Sequence, residues 1–587
     1  MTGRPTPRAP SPGRRAAPSA TLPADAADDI PGETLSDLLR AAAARRGGHE
    51  ALVVPAFAHG GEAVRLTFSQ LDARADELAR ALLALGIERG EHVALWAGNV
   101  PDWVPLMFAL ARIGAVLVTV NTALRREEVA YLLRQSGAAA VLHTTRTGTN
   151  ESSVALDGLF GDGDPAVARV RHRVWLPSAP DDVAPLGVMP GGARCALPAL
   201  AGLAERGRAV EPAALAAREA ACAPGDVVNI QYTSGTTGFP KGVMLSHANV
   251  LMSGRSLSAL LRTTCADRLA MIVPLFHCFG CVVCVLGAYV RGAALLSIPQ
   301  FEPGAALALL EEERATIVHG VPTMFSAMLN HPDLPRRNIR TLRTGLMAGA
   351  PCPVPLMEAV EEKLRCKGIT VTYGLTEASP GVSGSGPDAA REVRCGTIGA
   401  PLPGVETRVV DPATEQELPD GQPGELWVRG RNVMVGYHDE PAATARAVTP
   451  AGWLRTGDLC LRGADGHLRI VGRLKDIIIR GGENIAPAEI EAVLREHPDV
   501  ADAAVVGVAD EHFGEVVAAA LLLRRGARLD PAGCARLLEG RLAVFKVPVL
   551  WKAFEQFPLT GSGKVQKFKL REMFGDAVRT GAPDGQG

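Results

Sequence analysis

Helix-like and strand-like segments alternate along the first part of the chain. The stretch Thr67–Gly86 has the apolar spacing of an amphipathic helix, with a threonine that can cap its start and a glycine at its end. The apolar run HVALWAG follows, then the helical segment VPLMFALARIGA and a second apolar run, VLVTV. Strands that alternate with helices predict parallel strands covered by helices, so we expect an α/β fold.

The chain is too long for one hydrophobic core. It has 587 residues, and its 47% hydrophobic and 21% charged residues are typical of globular proteins. From about residue 395, β-like runs such as GELWVRG and HLRIVGR replace the alternation, and after GRLKD the pattern becomes mixed. We expect an N-terminal domain of α/β subdomains plus a small β subdomain (31–474) and a small α+β C-terminal domain (475–575).

The two ends of the chain are predicted to be disordered tails, residues 1–30 and 576–587. The first tail carries arginine and proline but no apolar core, so it is not a secretory signal, although a transit peptide is conceivable. Eleven scattered cysteines fit a reducing compartment better than a disulfide framework, and we expect a cytoplasmic protein. The net charge of −2 provides no overall field that would recruit nucleic acid.

One uncharged stretch, residues 269–290, is long enough to cross a bilayer. A proline, a histidine and two glycines interrupt it. A buried strand followed by a buried helix, roughly Gly280 to Tyr289, explains the stretch more simply, so we expect no integral membrane span.

The stretch YTSGTTGFPKG, Tyr232 to Gly242, is rich in glycine and hydroxyl side chains and contains a lysine. Backbone amides with little side-chain bulk can surround an anion, so the stretch predicts a phosphate-binding loop. The P-loop pattern G-x-x-x-x-G-K-[ST] fails, because Pro240 precedes Lys241 and glycine follows it. The alternative is a polar hairpin loop without a ligand.

TSGTTGFPKG resembles the phosphate-binding signature of the adenylate-forming superfamily, which includes acyl-CoA synthetases, peptide-synthetase adenylation domains and firefly luciferase. Later segments resemble that family's further motifs in the same order, over roughly residues 30 to 575. They are YGLTEASP (373–380), WLRTGDL (453–459), GRLKDIIIRGGENIAPAEIE (472–491) and FPLTGSGKVQK (557–567).

The resemblance implies an enzyme that converts a carboxylic acid and ATP into an acyl-AMP and passes the acyl group to coenzyme A, with Mg²⁺ as cofactor. Two anions must approach each other in the first step, so positioning and charge neutralisation are the main catalytic demands. The residues implied to hold the β- and γ-phosphates are Thr233, Ser234, Gly235, Thr236, Thr237, Gly238 and Lys241.

Further roles follow from the other motifs by the same resemblance. Glu377 would bind Mg²⁺ and Thr376 would contact the α-phosphate. Tyr373 would stack on adenine, Asp458 would accept both ribose hydroxyls, and Arg473 would support the ribose. The implied adenine slot is Gly349, Ala350 and Pro351.

The C-terminal motifs imply a mobile domain that serves both half-reactions. Lys564 would bridge the attacking carboxylate and the α-phosphate. Rotation about the hinge residue Lys475 would then remove Lys564 and bring the strand with Gly481 and Gly482 to the site, where glycine leaves room for the pantetheine arm.

The acid pocket is expected to lie along PLFHCFGCVVCVLGAYV and the loop LMAGA, with His277 and Met347 as candidate substrate-binding residues. His277 stands where amino-acid-activating relatives carry an aspartate, which argues against an amino acid; a packed core histidine is the alternative. Cys278, Cys281 and Cys284 have a spacing that fits one apolar helix face better than a metal site.

The apolar wall favours a hydrophobic acid, and the motifs are most similar to those of medium- to long-chain fatty acyl-CoA synthetases. The alternatives are an acyl-AMP ligase that loads a carrier protein and a ligase for an aryl acid. A luciferase-like oxygenase shares the same motifs. The partners expected are the acid, ATP and coenzyme A, and a homodimer is left open.

Overall fold

The computed structural model describes residues 29–147, 150–178, 182–233, 240–350, 352–480, 483–510, 513–539, 541–559, 565–575 and 577–580. The strands, in chain order, are β1 (Glu50–Val54), β2 (Val64–Thr67), β3 (His92–Trp96), β4 (Val116–Thr119), β5 (Ala140–His143), β6 (His172–Trp175), β7 (Leu186–Val188), β8 (Arg194–Ala196), β9 (Val227–Thr233), β10 (Lys241–Ser246), β11 (Arg268–Met271), β12 (Ala294–Ser297), β13 (Ile317–Gly320), β14 (Thr344–Met347), β15 (Gly368–Gly374), β16 (Gly381–Gly384), β17 (Ala400–Pro401), β18 (Val405–Val410), β19 (Gly424–Gly430), β20 (Gly436–Tyr437), β21 (Leu454–Arg462), β22 (Leu468–Arg473), β23 (Ile478–Arg480), β24 (Glu483–Ile485), β25 (Val500–Asp510), β26 (Gly514–Leu523), β27 (Leu550–Phe554) and β28 (Val578–Arg579).

The α-helices are α1 (Leu35–Arg46), α2 (Ala56–His59), α3 (Phe68–Ala84), α4 (Trp103–Arg112), α5 (Arg126–Ser136), α6 (Ser152–Gly161), α7 (Leu200–Gly207), α8 (Pro212–Ala220), α9 (His247–Leu260), α10 (Gly287–Tyr289), α11 (Pro303–Glu312), α12 (Pro322–Leu329), α13 (Val354–Lys363), α14 (Arg391–Gly396), α15 (Pro441–Ala447), α16 (Pro487–Leu494), α17 (Pro531–Glu539) and α18 (Lys567–Glu572). A π-helix covers Phe279–Leu286, and 3-10 turns cover Pro165–Val167, Leu334–Arg336, Thr376–Ala378, Leu474–Asp476 and Val544–Lys546.

Two mixed sheets form the body of the N-terminal domain. One has the strand order β17-β16-β15-β14-β13-β11-β12-β1-β2 and is parallel from β15 to β1. The other has the order β20-β10-β9-β4-β3-β5-β6 and is parallel from β9 to β6. Antiparallel strands lie at both edges of the first sheet and at the β20 edge of the second. The α/β expectation is confirmed.

One apolar core joins the two sheets. Leu95 and Leu117 from one sheet and Leu269 and Leu295 from the other belong to the same buried cluster. The helices α3, α4 and α9 and the π-helix contribute to this cluster. Full burial of one such leucine contributes about 1.5–3 kcal/mol, so this shared core fixes the two sheets relative to each other.

A small antiparallel sheet, β18-β19-β21-β22, follows the two large sheets, in keeping with the predicted β subdomain. After the 3-10 turn at Leu474–Asp476, the remaining strands form a separate mixed sheet with the order β24-β23-β26-β27-β28, and β25 also pairs with β26. Helices α16 and α17 pack on this sheet around an apolar cluster of its own. The expected small α+β C-terminal domain is therefore present.

Two expectations about local structure are confirmed, although the second helix is of a different type from an ordinary α-helix. Thr67 caps α3 through a capping box with Gln70, an arrangement that contributes about 1 kcal/mol. The uncharged stretch contains β11 and then a buried helix, as predicted, but that helix is π-helical over Phe279–Leu286. Among the described residues, no helix has the length and apolar character that crossing a membrane requires.

Candidate active site

The parallel strands of the first sheet bring several predicted residues to one edge. Met347 ends β14, and Gly349 and Ala350 follow it. Tyr373 lies at the end of β15, the neighbour of β14, and His277 follows β11 after a short loop. Ligands of open α/β sheets bind beyond the carboxyl ends of the strands, so this edge is the expected place for the site.

A buried carboxylate connects the second and third nucleotide motifs. The hydroxyl of Tyr373 donates to Asp458 Oδ2 at 2.5 Å, and Arg473 Nε lies 2.7 Å from Asp458 Oδ1. Asp458 is only 4% exposed, and it is paired with Arg473 across β21 and β22. Burial and the adjacent carboxylate raise the pKa of Tyr373 well above its ordinary value, and Asp458 raises the pKa of Arg473. The tyrosine therefore remains a hydrogen-bond donor.

The glycine-rich stretch connects two paired strands. Thr233 ends β9, Lys241 begins β10, and the two residues are partners in the antiparallel ladder. The residues between them that were predicted to hold phosphate, 234–238, lie outside the described residues. Because β9 and β10 are antiparallel neighbours, the chain reverses its direction between Thr233 and Lys241.

Lys241 and Glu377 both contact Tyr437. The hydroxyl of Tyr437 donates to Glu377 Oε1 at 2.9 Å, and the Lys241 ammonium lies 5.0 Å from the centroid of its ring. Burial and the neighbouring Glu377 carboxylate raise the pKa of Tyr437 far above its ordinary value, so its hydroxyl stays protonated. The two predicted phosphate-side residues are thus connected by a third one that the motifs did not reveal.

Glu377 suits Mg²⁺ by its chemistry. It is a half-buried carboxylate, and a hard cation of this size prefers oxygen ligands. The described residues contain no group of three or more His, Cys, Asp or Glu side chains that could hold a metal ion. Mg²⁺ in nucleotide enzymes is bound through one or two carboxylates plus substrate phosphates, and a single glutamate beside a phosphate site fits that mode.

The predicted acid-pocket residues lie next to the predicted α-phosphate residue. Cys278 Sγ lies 3.7 Å from Thr376 Oγ1, and Thr376 is 8% exposed. His277 Nδ1 accepts a hydrogen bond from the Phe279 amide at 3.1 Å, at the start of the π-helix. The side-chain amide of Gln231, from β9, reaches Cys281 Sγ at 3.1 Å. The π-helix therefore extends from the place where the carboxylate and the α-phosphate would meet.

The three spaced cysteines are all buried, in agreement with core packing, but the reason given for their spacing was wrong. Positions three apart share a face of an α-helix, whereas a π-helix has a wider turn. Helical segments of this type are rare and are frequently found at functional sites. Burial raises the pKa of Cys281 and Cys284 above the ordinary thiol value, so both are neutral thiols in the packed core.

In the predicted adenine slot, the backbone requires glycine at one position. Gly349 has φ +85°, and an added Cβ would lie 3.3 Å from Val321 Cγ1. Pro351 lies outside the described residues. His319, at the end of β13, was not predicted: its ring stacks on Phe279 with 6.2 Å between centroids, and burial lowers its pKa to about 4.

The hinge and the C-terminal motifs are described only in part. Lys475 is exposed within the 3-10 turn that separates β22 from β23. Gly481, Gly482 and Lys564 lie outside the described residues. Lys567 Nζ binds Glu491 Oε1 at 2.6 Å, and this buried carboxylate also accepts the Val505 amide at 2.9 Å. That ion pair anchors the start of α18 to α16.

Tyr437 is the most important of the residues that the sequence did not predict. The chain has only five tyrosines, and two of them, Tyr373 and Tyr437, contact predicted ribose and phosphate residues. The scarcity of tyrosine was a signal that could have singled it out. For Glu491 and Lys567 no comparable signal exists, because charged residues are common on helices.

Comparison with known proteins agrees with these motifs. The family model of AMP-binding enzymes matches residues 39–438, and that of the AMP-binding enzyme C-terminal domain matches residues 489–564. A putative acyl-CoA synthetase, YngI, of Bacillus subtilis is 42% identical over 87% of this chain and 92% of its own length. The mouse mitochondrial medium-chain acyl-CoA ligase ACSF2 is 36% identical over 92% of this chain and 87% of its own.

A solved structure of ATP-bound MatB from Rhodopseudomonas palustris superimposes with a TM-score of 0.78 at 29% identity, covering 92% of this chain and 99% of that protein. The family match spans far more than half of the chain, and the relatives align over nearly their full length. The chain therefore belongs to the AMP-binding enzymes of the adenylate-forming superfamily, and it is an AMP-forming acid–thiol ligase.

Proposed function

We propose that the protein is a fatty acyl-CoA synthetase that activates a hydrophobic, medium- to long-chain carboxylic acid as its acyl-AMP and transfers the acyl group to coenzyme A. The observation that carries the proposal is the contact between Cys278 and Thr376. It joins the residue proposed to meet the α-phosphate to a buried π-helix. The sequence from 269 to 290 around that helix carries no Asp, Glu, Lys or Arg.

The direction of the acyl tail follows from this contact. The carboxylate must reach the α-phosphorus near Thr376, so the tail is expected to extend along the helix that begins at Phe279. Its side chains are apolar and buried, and an apolar tail gains about 0.8 kcal/mol for each buried CH₂ group. A second carboxylate would lose its hydration there without a compensating cation, which disfavours dicarboxylic acids.

In the first half-reaction, an oxygen of the acid attacks the α-phosphorus of ATP, and pyrophosphate leaves. Asp458 holds the ribose, Tyr373 lies along the adenine, and Lys241 neutralises charge on the phosphates. Glu377 would hold Mg²⁺, which would supply positive charge to the phosphates. Lys564 would stabilise charge that develops between the acid and the α-phosphate only in the transition state.

In the second half-reaction, the thiolate of coenzyme A attacks the acyl carbonyl and AMP leaves. Rotation about Lys475 would exchange Lys564 for the strand of Gly481 and Gly482. The exposed position of Lys475 within a short 3-10 turn that has no buried residue supports this role, because hinges are short connecting segments that absorb a change of dihedral angles. The cytoplasmic location and a homodimer stay predictions.

The substrate class is tested by supplying MgATP and coenzyme A with saturated acids of about 4 to 18 carbons, and with benzoate and malonate for comparison. We expect acyl-CoA formation to peak at one medium or long chain length, and malonate to be inert. Acyl-AMP that accumulates with every acid, but without thioester, would instead favour transfer to a carrier protein. A peak at benzoate would favour the aryl-acid ligase.

The two half-reactions are separated by two pairs of variants. Lys564→Ala is expected to lower acyl-AMP formation about 10²- to 10³-fold while thioester formation from added acyl-AMP persists; the exposed Lys569→Ala is its control. Lys475→Pro is expected to leave acyl-AMP formation within about threefold and to impair thioester formation, with Lys475→Ala as control. Equal loss of both steps in Lys475→Pro would count against the hinge.

A further inference from the structure

Tyr437 contacts two residues of opposite charge through different parts of its side chain. Its hydroxyl donates to Glu377 Oε1 at 2.9 Å. Its ring lies under the Lys241 ammonium, with 5.0 Å from Nζ to the ring centroid. The phenol is therefore shared between the proposed Mg²⁺ ligand and the proposed phosphate-binding lysine.

The backbone around Tyr437 fixes this arrangement. Tyr437 is the ladder partner of Val243 in β10, two residues after Lys241, and its amide donates to Thr444 Oγ1 at 2.9 Å. On the other side, the amide of Met434 donates to the carbonyl of Glu377 at 2.8 Å. The segment that carries Tyr437 is thus bonded both to the strand of Lys241 and to the turn of Glu377.

This geometry assigns each group a separate task. A hydroxyl that donates to one carboxylate oxygen restrains Glu377 and leaves its second oxygen to a cation. A ring face attracts the ammonium of Lys241 without neutralising its charge, as a carboxylate partner would. Both charges are held in place and both stay available to a nucleotide and its metal.

We propose that Tyr437 is a positioning residue that orients Glu377 for Mg²⁺ and Lys241 for the phosphates, and thereby sets how strongly Mg²⁺ tightens ATP binding. The inference rests on the proposed roles of Glu377 and Lys241. It predicts that the phenol hydroxyl acts through Glu377, whereas the phenol ring acts through Lys241. The two contributions can therefore be removed one at a time.

The test measures the dissociation constant of ATP for the full chain by calorimetry, with excess Mg²⁺ and with EDTA. The ratio of the two constants reports the Mg²⁺ linkage. In Tyr437→Phe we expect this ratio to fall about tenfold, because an outer partner of a metal ligand is lost, while affinity in EDTA changes less than about twofold. Tyr437→Leu should in addition weaken ATP binding in EDTA severalfold.

The matched control is Tyr289→Phe. Tyr289 is a fully buried tyrosine, whereas Tyr437 is half-buried, and the Tyr289 hydroxyl likewise donates a hydrogen bond, to the carbonyl of Ala51 at 3.1 Å. Its loss should leave the Mg²⁺ linkage ratio unchanged. Thermal unfolding of each variant establishes that the folded protein is compared. If Tyr437→Phe does not fold, Tyr437→Met removes the hydroxyl and the ring together, and its Mg²⁺ linkage ratio still tests the hydroxyl.

A double-mutant cycle separates failure of this inference from failure of the proposed function. Glu377→Gln should lower the ratio, and Tyr437→Phe should add nothing in that background. Two outcomes would overturn the inference while the role of Glu377 stands. Either Tyr437→Phe alone has the same Mg²⁺ linkage ratio as the wild type, or the double variant has a lower ratio than Glu377→Gln. A wild-type ratio in Glu377→Gln would overturn both that role and the inference.

Discussion

The ribose side and the phosphate side of the candidate nucleotide site are built differently. On the ribose side, both oxygens of Asp458 already have protein partners, the Tyr373 hydroxyl and the Arg473 guanidinium. On the phosphate side, Glu377 accepts one hydrogen bond, from the Tyr437 hydroxyl, and the Lys241 ammonium lies over the ring of the same tyrosine. The ribose side is thus preorganised by protein charges. On the phosphate side, the charges of Glu377 and Lys241 are not paired with each other or with another charge in the preceding contacts, and the metal and the phosphates would balance them.

The largest effect is expected on the ribose side. Asp458→Asn removes a carboxylate that two donors share, and each hydrogen bond to a charged group contributes about 1.5–3 kcal/mol. We expect kcat/KM for acyl-AMP formation to fall about 10²- to 10⁴-fold, while the Mg²⁺ linkage of ATP binding is kept. Asp420→Asn, an exposed carboxylate of the β subdomain, is the control. A normal rate in Asp458→Asn would contradict the assignment of the ribose.

Removal of Mg²⁺ should affect only the phosphate side. With EDTA we expect acyl-AMP formation to cease, because two anions then approach without the bridging cation. ATP binding should persist in a weakened form, since the phosphates lose a counter-charge but the ribose side needs no metal. Complete loss of ATP binding in EDTA would break the comparison, because both sides would then depend on the metal.

A smaller effect is expected for the tyrosine on the ribose side. Tyr373→Phe keeps the ring that would stack on adenine but removes the donor to Asp458, so we expect the KM for ATP to rise about tenfold with kcat nearly unchanged. 2′-Deoxy-ATP should lose affinity in the wild type and lose less in Asp458→Asn. Equal losses in both proteins would mean that Asp458 does not contact the 2′-hydroxyl.

The smallest effect is expected when the pH is changed, because the Tyr373 hydroxyl should stay protonated. The raised pKa of Tyr373 means that its neutral form is favoured, so its hydroxyl still donates at the ordinary tyrosine pKa of 10.0. The ratio of the ATP dissociation constants of Tyr373→Phe and the wild type should stay constant from about pH 8 to about pH 10. A ratio that falls toward one near pH 10 would show that the tyrosine ionises in this range.

The sequence predicted the parts of the site that depend on local pattern. The α/β alternation, the capped helix after Thr67 and the buried strand that begins the uncharged stretch are properties of neighbouring residues, and local sequence pattern predicts them. Tyr373, Asp458 and Arg473 were predicted only because the motifs resemble a known family. Their contact depends on the arrangement of β15 against β21 and β22, which no local pattern specifies.

The difference between local pattern and contacts of distant segments also explains which features the sequence did not predict. Tyr437 meets Glu377 and Lys241 only because β20 pairs with β10, and that pairing joins residues nearly two hundred positions apart. The π-helix at Phe279–Leu286 was expected as an ordinary helix, since apolar spacing does not separate the two forms. Burial, not spacing, accounts for its cysteines.

The most direct test of the two-sided site is a crystal structure of the full chain with Mg²⁺ and a non-hydrolysable ATP analogue. We predict that both ribose hydroxyls lie on Asp458, with its bonds to Tyr373 and Arg473 kept. Mg²⁺ should be held by Glu377 while Tyr437 still donates to the same carboxylate. A ribose away from Asp458, or a metal bound without Glu377, would contradict the account.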